Sequence, residues 1–153
     1  MAQVELTAVT AGNWRELAEL DVRAEQRAFV APVTRYLTMC AYDGGTWKPL
    51  AVESDGSVVG FAMEAVDPAD GSYWIGGFLI DAAWQRRGFG RAAVHMMVSR
   101  AQEALRPSVA LSYQPANTVA QRLYASLGFV ETGEIEDDEI VARLDIRTSQ
   151  PAD

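Results

Sequence analysis

The sequence predicts one α/β domain of the α+β kind: a mixed, mostly antiparallel sheet with helices on its faces. Three observations point there. The chain has 153 residues, within the usual size of one domain, about 100–200 residues. Strand-like runs crowd into residues 50–81, where turn residues join them in antiparallel order, and helices then alternate with strands to the end of the chain. Nearly half of the residues are apolar, which excludes a disordered chain and supplies a core.

Each element has its own signal. Residues 4–9 alternate as a strand does, and 13–27 place Trp14, Leu17, Ala18 and Val22 at helical spacing. A second helix is expected over 34–41. Residues 50–53 and 58–66 flank the turn Ser54-Asp-Gly-Ser57 and read as a hairpin, and 73–81 form the next strand. A helix over 88–104 stops at Arg106-Pro107, and 109–113 return as a strand. Pro115-Ala-Asn117 opens a helix whose apolar stripe is Ala120, Leu123, Tyr124 and Leu127 and which Gly128 ends. Residues 129–134 and 140–146 close the sheet. No repeat, low-complexity tract or linker divides the chain, so 1–146 read as one domain and 147–153 as a short tail.

Composition removes several functions. Cys40 and His95 are the only residues of their kinds, so a disulfide, a cysteine metal cluster, a zinc site and a histidine triad are not expected. Thirteen basic against 21 acidic residues leave a net charge of −8, which argues against a nucleic-acid partner and favours cationic ones. No run approaches the ~20 apolar residues of a membrane span. Residues 1–5 do not resemble a secretory leader, so no membrane partner and a cytoplasmic location are expected.

Charge is unevenly spread. Arg86, Arg87, Arg91, Arg100 and Arg106 face Glu103 alone over residues 82–106, which suits an anion. Glu131, Glu134, Glu136, Asp137, Asp138 and Glu139 cluster without a base among them. That cluster reads either as a solvated hairpin or as a cation site.

Trp84-Gln-Arg-Arg-Gly-Phe-Gly-Arg-Ala-Ala93 lies between a strand and a helix. Glycines there let backbone amides converge, and a helix N-terminus adds free donors and a positive dipole, so the turn suits a phosphate. Gly88, Gly90 and Ala93 fit a dinucleotide fingerprint. That fingerprint requires glycines hard against the strand and an acid about 20 residues on, and neither is present.

The spacing Gln85-x-x-Gly88-x-Gly90 after an antiparallel strand instead resembles the pyrophosphate loop of the GNAT superfamily of acyl-CoA-dependent acyltransferases. Phe78-Leu-Ile-Asp81 upstream, Pro115-Ala-Asn117 downstream and Ala120-Gln-Arg-Leu-Tyr-Ala-Ser-Leu-Gly-Phe129 follow in the superfamily's order. Within it the chain is similar to bacterial spermine/spermidine-type acetyltransferases through Gln26-Arg-Ala-Phe29-Val30, Val59-Gly-Phe-Ala-Met63 and Thr132-Gly-Glu134.

The resemblance implies a GNAT fold whose fourth and fifth strands splay, with the pantetheine arm of acetyl-CoA in the wedge along Phe78, Leu79 and Ile80. It implies pyrophosphate contacts from Gln85, Arg86, Arg87, Gly88, Phe89, Gly90 and Arg91, and a bond from Asn117 to the amide arm. Tyr124 takes the family's general-acid position, and contacts acetyl-CoA there, protonating the departing thiolate; read alone, it is one more residue of an apolar stripe. The base stays open among Glu25, Glu64, Glu134 and Glu139. Glu25, Gln26, Glu64 and Glu139 are the candidate acceptor contacts. Gly76-Gly77 replace the polar pair of polyamine-type relatives, and read either as the strand bulge that aims an oxyanion donor or as space for a bulkier amine.

The expected activity is therefore acetyl transfer from acetyl-CoA, without a metal, to a small cationic amine such as a polyamine, by direct attack in a ternary complex. The alternatives are another amine, on an antibiotic or a protein, and a non-catalytic acyl-CoA sensor. The family's habit adds a homodimer as an expected assembly.

Overall fold

The computed structural model describes residues 2–147, and the tail expected over 147–153 lies outside them apart from Arg147. The chain runs β1 (Glu5–Ala8), α1 (Trp14–Ala18), a 3₁₀ turn (Ala24–Gln26), α2 (Val33–Tyr42), β2 (Lys48–Ser54), β3 (Ser57–Val66) and β4 (Tyr73–Ile80). A second 3₁₀ turn (Ala82–Trp84), α3 (Phe89–Glu103), β5 (Ser108–Tyr113), α4 (Thr118–Ser126), β6 (Val130–Glu136) and β7 (Glu139–Asp145) complete it. The strands form one sheet in the order β1-β2-β3-β4-β5-β7-β6. All neighbours are antiparallel except β4 and β5.

Local chemistry accounts for the turns. Asp55 and Gly56 both take left-handed backbone (φ +48° and +77°), as do Asp137 and Asp138 (φ +47° and +65°), which matches the twist that two-residue hairpins require. The α4 helix begins where Asn117 Oδ1 accepts from the Ala120 amide at 3.2 Å. It ends at Gly128, whose φ of +96° lets the Phe129 amide reach back to the Tyr124 carbonyl at 3.0 Å. Helix α3 ends without a glycine: Leu105 takes φ +58°, the Arg106 amide bonds to the Ala101 carbonyl at 2.9 Å, and Pro107 prevents continuation.

The helix expected over 13–27 is two pieces. After α1 the backbone is claimed by tertiary partners: the Asp21 amide donates to Asp81 Oδ1 at 3.0 Å and the Asp21 carbonyl accepts from the Ala82 amide at 2.8 Å. Arg23 is then extended (ψ 152°), and the chain re-enters helical geometry only for the short 3₁₀ turn. Helical spacing without local caps was overridden by a carboxylate 60 residues away.

Apolar residues of α3, including Val94, Met97 and Ala101, pack with Tyr124 and Phe129 against Ala62, Ile75 and Leu111 of the sheet. Leu17 and Val33, from α1 and α2, pack on Phe61, Met63 and Leu79. Two irregularities of β4 open the sheet between these layers. First, β4 meets β5 only at Tyr73↔Val109 and Trp74↔Ala110, after which the two strands diverge. Second, Phe61 pairs with Leu79 and Met63 with Gly76, two steps along β3 against three along β4, so β4 carries a bulge at Gly77 with φ +55°.

Candidate active site

The divergence of β4 from β5 leaves a cleft of about 770 Å³. Its walls are Ile75 to Ile80 of β4, Leu111 to Tyr113 of β5, the loop before α3, and the first turns of α4. Across from these stand Glu25, Gln26, Phe29 and Val30, with Tyr36 of α2 and Glu139 at the start of β7.

The loop end of the cleft suits an anion. Asp81 fixes the loop's start, its carboxylate accepting from the Asp21 and Ala83 amides at 3.0 Å each. Gln85 Nε2 holds the next step by donating to the Ile80 carbonyl at 2.9 Å and to Gln26 Oε1 at 2.8 Å. Arg86 (φ +63°) and Gly88 (φ +84°) are left-handed, a sequence that turns successive amides to one side. Phe89, Gly90 and Arg91 then form the first turn of α3, whose amides have no upstream carbonyl to bond. A Cβ built on Gly90 would meet Phe78, Ile80 and Leu123 at an ordinary 3.8–3.9 Å. Protein packing therefore does not demand glycine there, and the empty position leaves the cleft floor open to a ligand.

The expected loop residues fall into two groups. Gln85, Arg86, Gly88, Phe89, Gly90 and Arg91 line the cleft, whereas Arg87 does not. Its guanidinium lies 5.2 Å from the Trp84 ring centre, in cation–π geometry. Arg91 reaches α4, donating to Ser126 Oγ at 2.7 Å. Phe78, Leu79, Ile80 and Asn117 all line the cleft, and because the Asn117 carbonyl is spent on capping α4, its amide nitrogen is the group left for a ligand.

Tyr124 is 8% exposed, with its ring 5.9 Å from those of Tyr113 and Phe129. Its hydroxyl has no hydrogen-bond partner among the described residues and belongs to the cleft wall. Burial first, then the charge of Glu139 and the neighbouring Tyr113, push the phenol well above its ordinary range. Tyr124 is thus a neutral donor at any working pH. Tyr113 differs, its hydroxyl being committed to Glu131 Oε1 at 2.8 Å.

Of the candidate acceptor contacts, Glu25, Gln26 and Glu139 line the cleft and Glu64 does not. Glu64 sits in β3 beside Tyr73, accepts that hydroxyl at 2.5 Å, and takes Arg100 Nη2 and Nε at 2.6 and 3.1 Å. With its side chain 13% exposed and both oxygens occupied, it serves as a structural ion pair. Glu134, a candidate base, is likewise held by Arg143 at 3.0 Å on the outer strand, away from the cleft. Gly76 and Gly77 do not provide spare room: a Cβ at Gly76 would stand 2.7 Å from the Trp47 ring, and one at Gly77 3.2 Å from Tyr36 Cγ. The space beside the bulge is filled by the Trp47 and Tyr36 rings and the Met63 methyl.

Tyr36 and Ser112 also line the cleft. Tyr36 covers the bulge and accepts the Ala31 amide at 2.9 Å on its hydroxyl. Ser112 donates its Oγ to Glu139 Oε1 at 2.9 Å. The signal for Ser112 was present, since it is the polar residue between Leu111 and Tyr113 in an otherwise apolar strand.

Comparison with known proteins agrees with this fold. The family model described as Acetyltransferase (GNAT) family matches residues 14–129. A spermine/spermidine N(1)-acetyltransferase of Bacillus subtilis (strain 168) is 27% identical over 140 residues, covering 87% of this chain and 91% of the relative. Among solved structures, the fold is shared with a spermidine N-acetyltransferase from Vibrio cholerae in complex with CoA and spermine (TM-score 0.71, 18% identity, 92% and 93% of the two chains). It is shared too with the ribosomal-protein-S18-alanine N-acetyltransferase from Escherichia coli (TM-score 0.70, 21% identity, 94% of each chain).

Proposed function

The chain belongs to the GNAT acetyltransferase family, and on that premise we propose that it moves acetyl from acetyl-CoA to a primary amine of a small cationic acceptor, a polyamine foremost. One observation carries the reading. A single cleft joins an anion-binding turn with Arg86 and Arg91 to a wall bearing Glu25 and Glu139, and the same cleft holds the unpartnered Tyr124 hydroxyl.

The parts divide the work. The amides of the turn and the two arginines take the pyrophosphate, with the dipole of α3 adding to them. The exposed backbone edge of Phe78, Leu79 and Ile80 and the Asn117 amide receive the pantetheine arm, which fills the gap left by the divergence of β4 from β5. The amine attacks the thioester carbonyl directly, in a ternary complex. Tyr124 donates to the sulfur as it leaves; burial holds the phenol protonated for that step. No step calls on a metal. Orientation of amine and thioester within the cleft supplies much of the rate, an effect worth roughly 7–11 kcal/mol in well-aligned pairs.

A polyamine is favoured by the two carboxylates of the acceptor wall and by the names of the curated relatives. The test is release of CoA thiol from acetyl-CoA across spermidine, spermine, putrescine, an aminoglycoside, an arylalkylamine and an N-terminal peptide. Turnover with the polyamines is the expected result. Turnover only with the peptide would move the acceptor to a protein amino group, and acetyl-CoA binding without turnover would leave a sensor.

A further inference from the structure

Among the carboxylates of the described residues, Glu139 is the one whose charge raises Tyr124. It begins β7, next to Ile140, which pairs with Tyr113 at the end of β5 where that strand has already left β4. One of its oxygens, Oε1, accepts from Ser112 Oγ at 2.9 Å; the other has no hydrogen-bond partner among the described residues, and Glu139 lines the cleft. The groups that face Glu139 are the phenol of Tyr124 from α4 and the phenol of Tyr36 from α2, the latter with Arg35 nearby; Tyr113 of β5 packs against Tyr124. Burial and the Glu139 charge raise both Tyr124 and Tyr36, against the lowering effects of the Ala31 amide and Arg35 on Tyr36. The carboxylate therefore lines the same cleft as the general acid, acts on it through its charge, and belongs to the acceptor wall.

The remaining carboxylates considered as bases do not share this position. Glu64 and Glu134 lie outside the cleft, each paired with an arginine. Glu25 lines it, but no interaction ties it to Tyr124.

We infer, resting on the acetyltransferase reading above, that Glu139 is a catalytic residue that binds the ammonium group of the acceptor and takes its proton, and that Ser112 is the positioning residue that orients it. A primary ammonium is no nucleophile until a proton leaves, and near neutral pH an amine with a pKa near 10 is almost wholly protonated. The proton passes from nitrogen to the Glu139 carboxylate and on to solvent. The freed lone pair forms the bond to the acetyl carbon, and the carbon–sulfur bond breaks with its pair going to sulfur. Tyr124 supplies the proton to sulfur, and the second proton, released by the new amide nitrogen, restores the phenol through solvent. The sum is one amide, one CoA thiol and one proton released.

The experiment compares wild type, Glu139→Gln and Ser112→Ala, with acetyl-CoA affinity measured by calorimetry and kcat and KM for spermidine measured from about pH 6 to about pH 10. Glu139→Gln keeps the shape and the Ser112 hydrogen bond. Its kcat/KM for spermidine is expected to fall on the order of 10²-fold near neutral pH, with acetyl-CoA affinity unchanged. The deficit is expected to shrink as pH approaches the pKa of the amine, which then arrives already neutral. Ser112→Ala should show a smaller loss with the same pH trend, and it carries the test should the glutamine variant not fold. An unchanged kcat/KM, a loss equal at every pH, or a loss of acetyl-CoA affinity would overturn the assignment. A wild-type protein that binds acetyl-CoA yet acetylates no amine would overturn the function reading itself, and the two failures are thereby told apart.

Discussion

Gln85 and Gln26, 59 residues apart in sequence, are joined by a hydrogen bond of 2.8 Å from Gln85 Nε2 to Gln26 Oε1. The same Gln26 oxygen accepts the Arg23 amide at 3.0 Å, and the same Gln85 nitrogen donates to the Ile80 carbonyl. The acceptor wall, the anion-binding turn and the end of β4 are thereby one hydrogen-bonded unit. Gln26→Ala breaks it at a half-buried site, where one hydrogen bond is worth about 0.5–1.5 kcal/mol. Acetyl-CoA is predicted to bind about 2- to 10-fold more weakly, as titration calorimetry would read it; an unaltered affinity would mean that Ile80 alone holds the turn.

Tyr124→Phe keeps the packing against Tyr113 and Phe129 and removes only the hydroxyl. The kcat for the best amine should drop about 10²- to 10⁴-fold, while acetyl-CoA affinity and the thermal midpoint stay near wild type. Full turnover by this variant would strip Tyr124 of the role.

Gly76 is held by its neighbour. With Trp47 Cη2 and Cζ3 at 2.7 Å from the position of an added Cβ, Gly76→Ala should destabilise by about 1–3 kcal/mol through overpacking. Denaturant unfolding would measure it. Combining the change with Trp47→Leu should recover part of the loss, a coupling that an independent pair of sites would not show.

Much of this was legible in the sequence because its cause was local. Asp55-Gly56 sets its hairpin by itself, Asn117 and Gly128 bracket α4 by themselves, and Gly88 shapes the turn before α3 within a few residues. The broken helix at 13–27 was not legible, since Asp81 ends it from 60 residues away. Nor was the fate of Glu64, which depends on β3 register delivering it to Tyr73 and Arg100. Ser112 and Glu139 meet only because β5 and β7 are neighbours in space, so their pairing needed the sheet order. Arg87 looked equal to Arg86 and Arg91, yet its guanidinium lies over Trp84 after the left-handed turn at Arg86.

Cys40 should be a slow thiol. Its group is pushed up to about 11, by burial first and then by the Asp43 charge, and its sulfur contacts Met63 Sδ at 3.3 Å. Because the thiolate is the reactive form, a raised value means that reactivity appears only as pH climbs toward 11. At pH about 8 roughly one thiol in a thousand is ionised, against about a quarter for an ordinary cysteine of pKa ≈ 8.5. Alkylation by iodoacetamide should therefore run on the order of 10²-fold slower than for a free thiol. A rate matching free cysteine would mean that the burial described for Cys40 is wrong.

The most direct measurement is mass spectrometry of a reaction holding the protein, acetyl-CoA and spermidine. The account predicts spermidine heavier by one acetyl group, with an equal amount of free CoA, and both products formed at least about 10²-fold more slowly when Tyr124→Phe replaces the wild-type protein. Unmodified spermidine, spermine and putrescine beside intact acetyl-CoA would contradict acetyl transfer to a small cationic amine.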